Sequence, residues 1–536
     1  MSKKAIQSAT KLGVSAAFRS GEEQEASDRF LLRSTSRLLH FVWPIVLAMV
    51  FAALMGITRL NTAVKIGADE NYELAKAVLL LKGFSFYTEV WNDQPLLHTA
   101  IVATILKFIS PTVLWPRLIT AGFSFLLIIS LFSIVRRING TFAATTATFL
   151  LLASPGFVDL SSSCMVEIPA LAPAVAGLAI LLALQRSRPA LAFILAGAAF
   201  GIAFQIKLIN VILLPLVGLA IWLGLRDRAK SSAAAKKGAT SRRLSSKELT
   251  TTLLQFSIFF TSLLSTFLLI NFLLPGGSYL LQIKQTWLAH FSATRSFEYG
   301  SPADFPFQWS VLLKNWDQTI PALIGIVICL LRVRKNHWLA LPVTWFALEL
   351  IVFATHTPWW SYYYVHNAIP ITWCAGIGIA ALVNLIRARK SIPLIAGFSI
   401  FALAATTWMI GRIYLQITTI RNSPQTYNSL VLTEIERYKP FTEFLYTDDG
   451  VYSFHSGIPL PPKLGVVSLK RFWTGDMTNA KLTAELWKVK PGLILIENNT
   501  QELPYSDLLH SQYSLVYEDP RHRLYARRDV SKQVKW

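Results

Sequence analysis

Long apolar runs alternate with short polar ones along most of this chain. Runs dense enough to cross a bilayer, which takes roughly 20 residues per helix, lie at 40–60, 114–135, 141–155, 168–185, 190–207, 209–225, 251–274, 318–333, 338–355, 367–386 and 392–413. The pattern therefore predicts about eleven transmembrane helices. Between the first two runs, Leu74, Val78 and Leu81 recur at three- and four-residue spacing, which predicts a helix over 72–81. Pro95–Phe108 is apolar but too short to span. The 61–112 loop is thus expected to lay two helices on the membrane surface, joined by a turn at Asn92-Asp93-Gln94. After 413 the pattern changes to short strands at 444–447, 464–468, 493–496 and 513–517, with 524–527 closing a hairpin and a helix at 480–488. The predicted fold is an α-helical polytopic membrane protein. It comprises a basic segment 1–38, a transmembrane domain 39–413, and a small α/β domain over 414–536.

Composition agrees: of 536 residues, 53% are hydrophobic and 15% charged, against roughly 25% charged in soluble domains. The formal charge of +21 does not point to nucleic acid, because the basic residues sit in short runs between apolar segments. Every second loop is basic: Arg136-Arg137, Arg186 with Arg188, the flexible linker 226–250, Arg332 with Arg334 and Lys335, and Arg387 with Arg389 and Lys390. Cytoplasmic loops carry such an excess. This alternation predicts a multi-pass plasma (inner) membrane protein with a cytoplasmic N-terminus. The 61–112, 155–167, 275–317 and 356–366 loops and the C-terminal domain would lie outside. The first span follows a polar segment and is too long for a signal-peptide core. Cys164, Cys329 and Cys374 have neither zinc-site nor disulfide spacing and are expected to pack.

Candidate chemistry collects on the predicted external side. Asp69-Glu70 follows the first span; carboxylates there suit a general base or a hard-cation site, or simply the first turn of a helix. Glu167, in Glu167-Ile-Pro169, begins another span from the same side, with Asp159 a weaker candidate in its loop. Glu70 and Glu167 together would hold a divalent cation, Mg or Mn. Lys207 stands at the external end of its span, where it either snorkels or holds a lipid-linked phosphate. His356, Tyr363 and His366 lie in an uncharged aromatic loop suited to an interfacial belt or to sugar stacking. Tyr72, Asn92, Asp93 and Gln94 complete the substrate-binding candidates. Lys284, His290 and Arg295 are less specific phosphate candidates, and Asp448-Asp449 reads as a strand-end turn.

Taken in order, Asp69-Glu70-x-Tyr72, Gly83, Asn92-Asp93-Gln94-Pro95-Leu96-Leu97, Trp115-Pro116-Arg117-Leu118, Arg136-Arg137-Ile138-Asn139-Gly140, Glu167-Ile168-Pro169 and Gly201–Lys207 resemble the GT-C glycosyltransferases. The similar branch is that of the protein O-mannosyltransferases and lipid A aminoarabinose transferases. The chain departs from the aminoarabinose branch at Gln94-Pro95-Leu96, where that branch has Lys-Pro-Pro. The resemblance implies transfer of a sugar from a polyprenyl-phosphate donor to an external glycolipid, polysaccharide or protein. Its first-loop acidic residues map onto Asp69 and Glu70, and its second-loop acidic residue onto Glu167. The rival readings are a transporter or flippase, which would place ionisable groups at mid-membrane, and a ligase of lipid-linked sugars.

Overall fold

The computed structural model describes residues 42–61, 68–109, 112–235, 246–274, 278–288, 299–422, 429–498 and 503–534. The segment 1–38, His290 and Arg295 lie outside them. The chain divides into two compact units, Met1–Ala52 and Ala53–Trp536, and the second holds the C-terminal domain together with every helix from residue 68 onward.

Each predicted span coincides with a helix. These are α1 Val42–Thr58, then α4 Leu114–Asn139, α5 Thr141–Leu152, α6 Glu167–Leu184, α7 Pro189–Phe204, α8 Leu214–Ala235, α9 Ser246–Leu273, α10 Trp316–Arg332, α11 Ala340–Thr355, α12 Tyr364–Arg389 and α13 Ile392–Asn422. Between α1 and α4 lie α2 Ala68–Leu81 and α3 Leu97–Leu106, the two helices of the first loop. Among the described residues seven helices are long and apolar enough to cross a membrane. Helix α6 is the buried centre of the bundle, whereas α9 and α13 leave nearly all of their apolar surface open, as lipid-facing helices do.

Small residues permit the tightest crossing. A Cβ on Gly325 of α10 would come within 1.9 Å of the Cys374 carbonyl, and one on Gly378 of α12 within 2.2 Å of the Pro321 carbonyl. Only glycine lets these backbones touch, as in other close-packed membrane helices.

Helix α4 runs from Arg117, beside the first loop, to Arg136-Arg137, and α6 runs from Glu167 to Gln185. At that far end Arg137, Arg186 and Trp338 from three predicted cytoplasmic loops line one small cavity. Asp227 ties them together, pairing with Arg186, with His337 at 2.7 Å and with Trp338 Nε1 at 2.9 Å. The basic loops therefore meet at one end of the bundle.

After α14 Ser429–Tyr438 the C-terminal domain forms a four-stranded sheet in the order β1-β2-β4-β3, with β1 Leu445–Thr447, β2 Leu493–Glu497, β3 Tyr513–Glu518 and β4 His522–Arg527. Strand β1 is parallel to β2, and β3 and β4 make the expected antiparallel hairpin. Apolar clusters cover both sheet faces: Val431, Ile435 and Leu493 on one, Leu486, Ile494 and Leu508 on the other. The run at 464–468 is not a strand. It is a tight turn followed by extended chain, because its residues pack on α2 instead of pairing in the sheet. A Cβ on Gly465 would meet Leu79 Cδ1 at 2.5 Å, and Val467 O accepts the Tyr72 hydroxyl at 2.8 Å. Helix α15 Gly450–Ser456 begins against the same helix: a Cβ on Gly450 would sit 2.4 Å from Asn71 O. Asp449 caps it, accepting from Val451 N at 3.3 Å.

Candidate active site

The docking of α2, the aromatic loop after α11 and the C-terminal domain encloses a cavity of about 460 Å³. Helix α2 presents Asp69, Tyr72, Glu73 and Lys76 to it. These positions are i, i+3, i+4 and i+7, one face of a helix. Lys207 enters from the turn after α7, and His356, Tyr362 and Tyr363 from the aromatic loop. Asp93 and Gln94 come from the turn before α3, and Lys470 from the C-terminal domain.

Asp69 is half-buried and sits in the first turn of α2, where its charge also faces the helix N-terminus. Burial is the main reason its carboxyl is pushed up to about 6, with the charge of Glu167 adding to it. Lys207 and a hydrogen bond with Tyr362 work in the opposite direction. Glu167 is fully buried and pairs with Lys207. The Lys207 ammonium also lies 5.1 Å from the centre of the Tyr363 ring and 5.6 Å from that of Tyr362, a cation–π cradle that helps hold a desolvated charge. Farther along α2, burial opposes ionisation of Glu73, but Lys76 and His98 outweigh it and hold the carboxyl at about 2. Thr99 Oγ1 donates to Glu73 at 2.7 Å. Lys470 Nζ donates to Asp93 at 2.7 Å, and burial together with Lys470 and Lys207 holds His356 below its ordinary value, in the neutral form.

The other sequence candidates take different places. Glu70 points away from the cavity: Arg117 Nε donates to it at 2.8 Å and a second guanidinium nitrogen at 2.9 Å, while the Cys164 amide donates at 2.8 Å. This is a closed, buried ion pair that anchors α2 to α4 and to the 155–167 loop. Both Glu70 oxygens are held by Arg117, one of them also by the Cys164 amide, whereas Glu167 meets Lys207 through one oxygen and keeps Oε2 buried without a hydrogen bond, so a divalent cation shared by the two would have to displace Arg117 from Glu70. Among the described residues no three of His, Cys, Asp and Glu cluster as metal ligands. Asn92 is fully buried, with Lys76 donating to its side-chain oxygen at 3.2 Å and its own amide donating to Gln94 O at 2.6 Å; it braces the turn. His366 is also fully buried, packed against Phe353 and Tyr363 outside the cavity lining. Asp159 does not line the cavity either, and Lys284 is exposed. Glu73, Lys76 and Lys470 were not anticipated. The first two share the helical face of Asp69 and were legible from spacing; Lys470 carries no signal in the sequence.

Residues 93–240 match the family model described as dolichyl-phosphate-mannose-protein mannosyltransferase. No curated protein matches the sequence significantly. Among solved structures, the chain is similar to ArnT from Cupriavidus metallidurans in its apo state, with 15% identity and a TM-score of 0.60 over 90% of this chain and 97% of that one. The same enzyme bound to undecaprenyl phosphate gives 14% identity and 0.58, over 90% and 98%. The chain has the fold of the GT-C glycosyltransferases. The Archaeoglobus fulgidus oligosaccharyltransferase AglB, in complex with an inhibitory peptide and a dolichol-phosphate, shares that fold at 12% identity and a TM-score of 0.54, over 85% of this chain and 69% of AglB. Family model and fold together make this a membrane glycosyltransferase, in line with the loop motifs.

Proposed function

We propose that this protein transfers a sugar from a polyprenyl-phosphate donor to a hydroxyl-bearing acceptor at the external membrane surface, with Asp69 as the general base. The observation that carries the reading is one cavity, at the end of the bundle opposite the basic loops, holding a carboxylate poised near neutrality beside a buried lysine. A lipid-linked donor cannot leave the bilayer, so its phosphate must meet the enzyme at such a helix end. Asp69 takes the proton from the acceptor hydroxyl. The oxygen attacks the anomeric carbon while the bond from that carbon to the phosphate oxygen breaks. The electron pair leaves with the lipid phosphate, and inversion follows from the single displacement. Lys207 is placed to stabilise the departing phosphate, and Lys470 and Lys76 bring further positive charge to the same cavity. Tyr363, Tyr72 and neutral His356 offer ring faces and hydrogen bonds to the sugar. Glu167 orients Lys207.

The fold relatives support the donor class, since one is described bound to undecaprenyl phosphate and another to a dolichol-phosphate. Nothing in the site favours a transporter, because its ionisable groups gather at the ends of the helices and not along a mid-membrane path. The test is release of polyprenyl phosphate by the purified protein from a panel of polyprenyl-phosphate sugars with candidate acceptors. Failure with every donor, by protein shown to be folded, would overturn the reading.

A further inference from the structure

A second, larger cleft of about 600 Å³ lies on the other side of Tyr72. It is walled mainly by the C-terminal domain and shares Tyr72 and Leu469 with the cavity that holds Asp69. The two spaces are therefore neighbours that share two lining side chains.

The linings differ in kind. The Asp69 cavity contains Lys76, Lys207 and Lys470, as an anionic donor requires. Among the described residues lining the cleft there is no Lys or Arg, and its one charged group is the exposed carboxylate of Asp448. The walls are aromatic instead. Tyr299 stacks on Phe472 with ring centres 4.0 Å apart, and Tyr446 meets Tyr505 edge-on at 5.8 Å. Hydrogen-bonding groups rim these rings: the Tyr299 hydroxyl donates to Asn479 Oδ1 at 2.9 Å, and that of Tyr446 to Asp448 Oδ1 at 3.4 Å. Apolar ring faces bordered by a carboxylate, an amide and phenol hydroxyls match a sugar, whose faces are C–H and whose edge is hydroxyl. The cleft volume is that of a ligand site, not of a packing defect. It is also held in a fixed relation to Asp69, because Gly450 and Gly465 seat the domain directly on α2.

We propose that this cleft is a saccharide subsite, holding a neutral sugar of the acceptor adjacent to the unit that receives the transferred sugar. The proposal rests on the transferase reading above and adds the class of acceptor: a glycan or the glycan portion of a glycolipid, not a bare peptide.

The experiment uses the full-length protein in nanodiscs, probed by saturation-transfer NMR with neutral di- to tetrasaccharides of glucose, galactose and mannose and, separately, with serine- and threonine-containing peptides. At least one saccharide is expected to bind. Phe472→Ala should weaken that binding about tenfold, the effect of losing roughly 1.4 kcal/mol of stacking, whereas Lys488→Ala, an exposed position of the same domain outside the cleft lining, should leave it unchanged. Should Phe472→Ala fail to fold, Asp448→Asn and Asn479→Ala at the rim serve in its place and should weaken binding in the same assay. Saccharide binding that is indifferent to all three cleft variants would overturn the site. Binding of the peptides but of no saccharide would overturn the ligand class. Donor turnover is read separately by release of polyprenyl phosphate. Turnover with no saccharide binding sinks this proposal alone, while absence of turnover with every donor sinks the transferase reading beneath it.

Discussion

Replacing Asp69 with asparagine keeps the size and hydrogen-bonding shape of the side chain but removes the proton acceptor. If Asp69 is the base, turnover falls by about 10²–10⁴, the usual range for general-base catalysis. Its surroundings also fix a pH profile. With the carboxyl at about 6, about nine-tenths is ionised at pH 7 and about one-tenth at pH 5, so kcat/KM for wild type should drop about tenfold between those values. The asparagine variant should lack this acid limb. An anionic donor bound beside Asp69 raises the carboxyl further, so the acid limb of kcat should lie at higher pH than that of kcat/KM. Stability supplies an independent arm. A carboxyl raised from 3.8 to about 6 favours the folded state below its unfolded value and loses that contribution as pH rises through 6. At pH 7.5 ionised Asp69 therefore costs stability, at most about 3 kcal/mol at 1.36 kcal/mol per unit, less whatever solvent screens at this half-buried site. Asp69→Asn should then unfold thermally at the same temperature as wild type or higher while being nearly inactive. Assays of lipid-phosphate release from pH 4.5 to 8.5, beside thermal unfolding in detergent, test both arms. An asparagine variant within threefold of wild type, or a profile flat down to pH 5, would refute the assignment.

Three other outcomes follow from the same geometry. Arg117→Met strands the buried Glu70 carboxylate, and a broken buried pair costs about 3–5 kcal/mol; the yield of folded protein should collapse, and a well-folded, inactive variant would instead put Glu70 in the chemistry. Lys207→Gln combined with Glu167→Gln removes both charges of the second pair, so the protein should fold but lose donor turnover by about 10² or more, comparable to losing one transition-state hydrogen-bond donor; near-normal turnover would leave the lysine without its role. In a cysteine-free background, Lys463→Cys should react with an impermeant thiol reagent from outside the cell and Arg186→Cys only after permeabilisation, and the reverse pattern would invert the proposed orientation.

What the sequence disclosed followed from periodicity. Apolar runs marked the spans because a membrane helix must be apolar over its length, and the three- and four-residue spacing in 72–81 marked a helix there. Asp69-Glu70 was visible as a doublet, but adjacent residues on a helix point about 100° apart, and no periodicity says which of the two meets a guanidinium from α4. The apolar run 464–468 reads locally like a strand; its contacts with Leu79 and Tyr72 are tertiary, and they decided against the sheet.

Lys470 shows why the rest stayed hidden. Its position is an exposed-looking lysine in a soluble domain, hundreds of residues from Asp93, yet it enters the cavity beside Gln94. The turn Asn92-Asp93-Gln94 has no basic residue of its own, so the cation that meets Asp93 arrives from another part of the chain. That arrival depends on Gly450 and Gly465 allowing the C-terminal domain to rest on α2. A larger residue at Gly450 would overlap the Asn71 carbonyl, lift the domain, and withdraw Lys470 from one cavity and the aromatic wall from the other. The donor site and the proposed saccharide cleft thus depend on the same seating of the domain on α2, and the short sheet serves both by holding that seating in place.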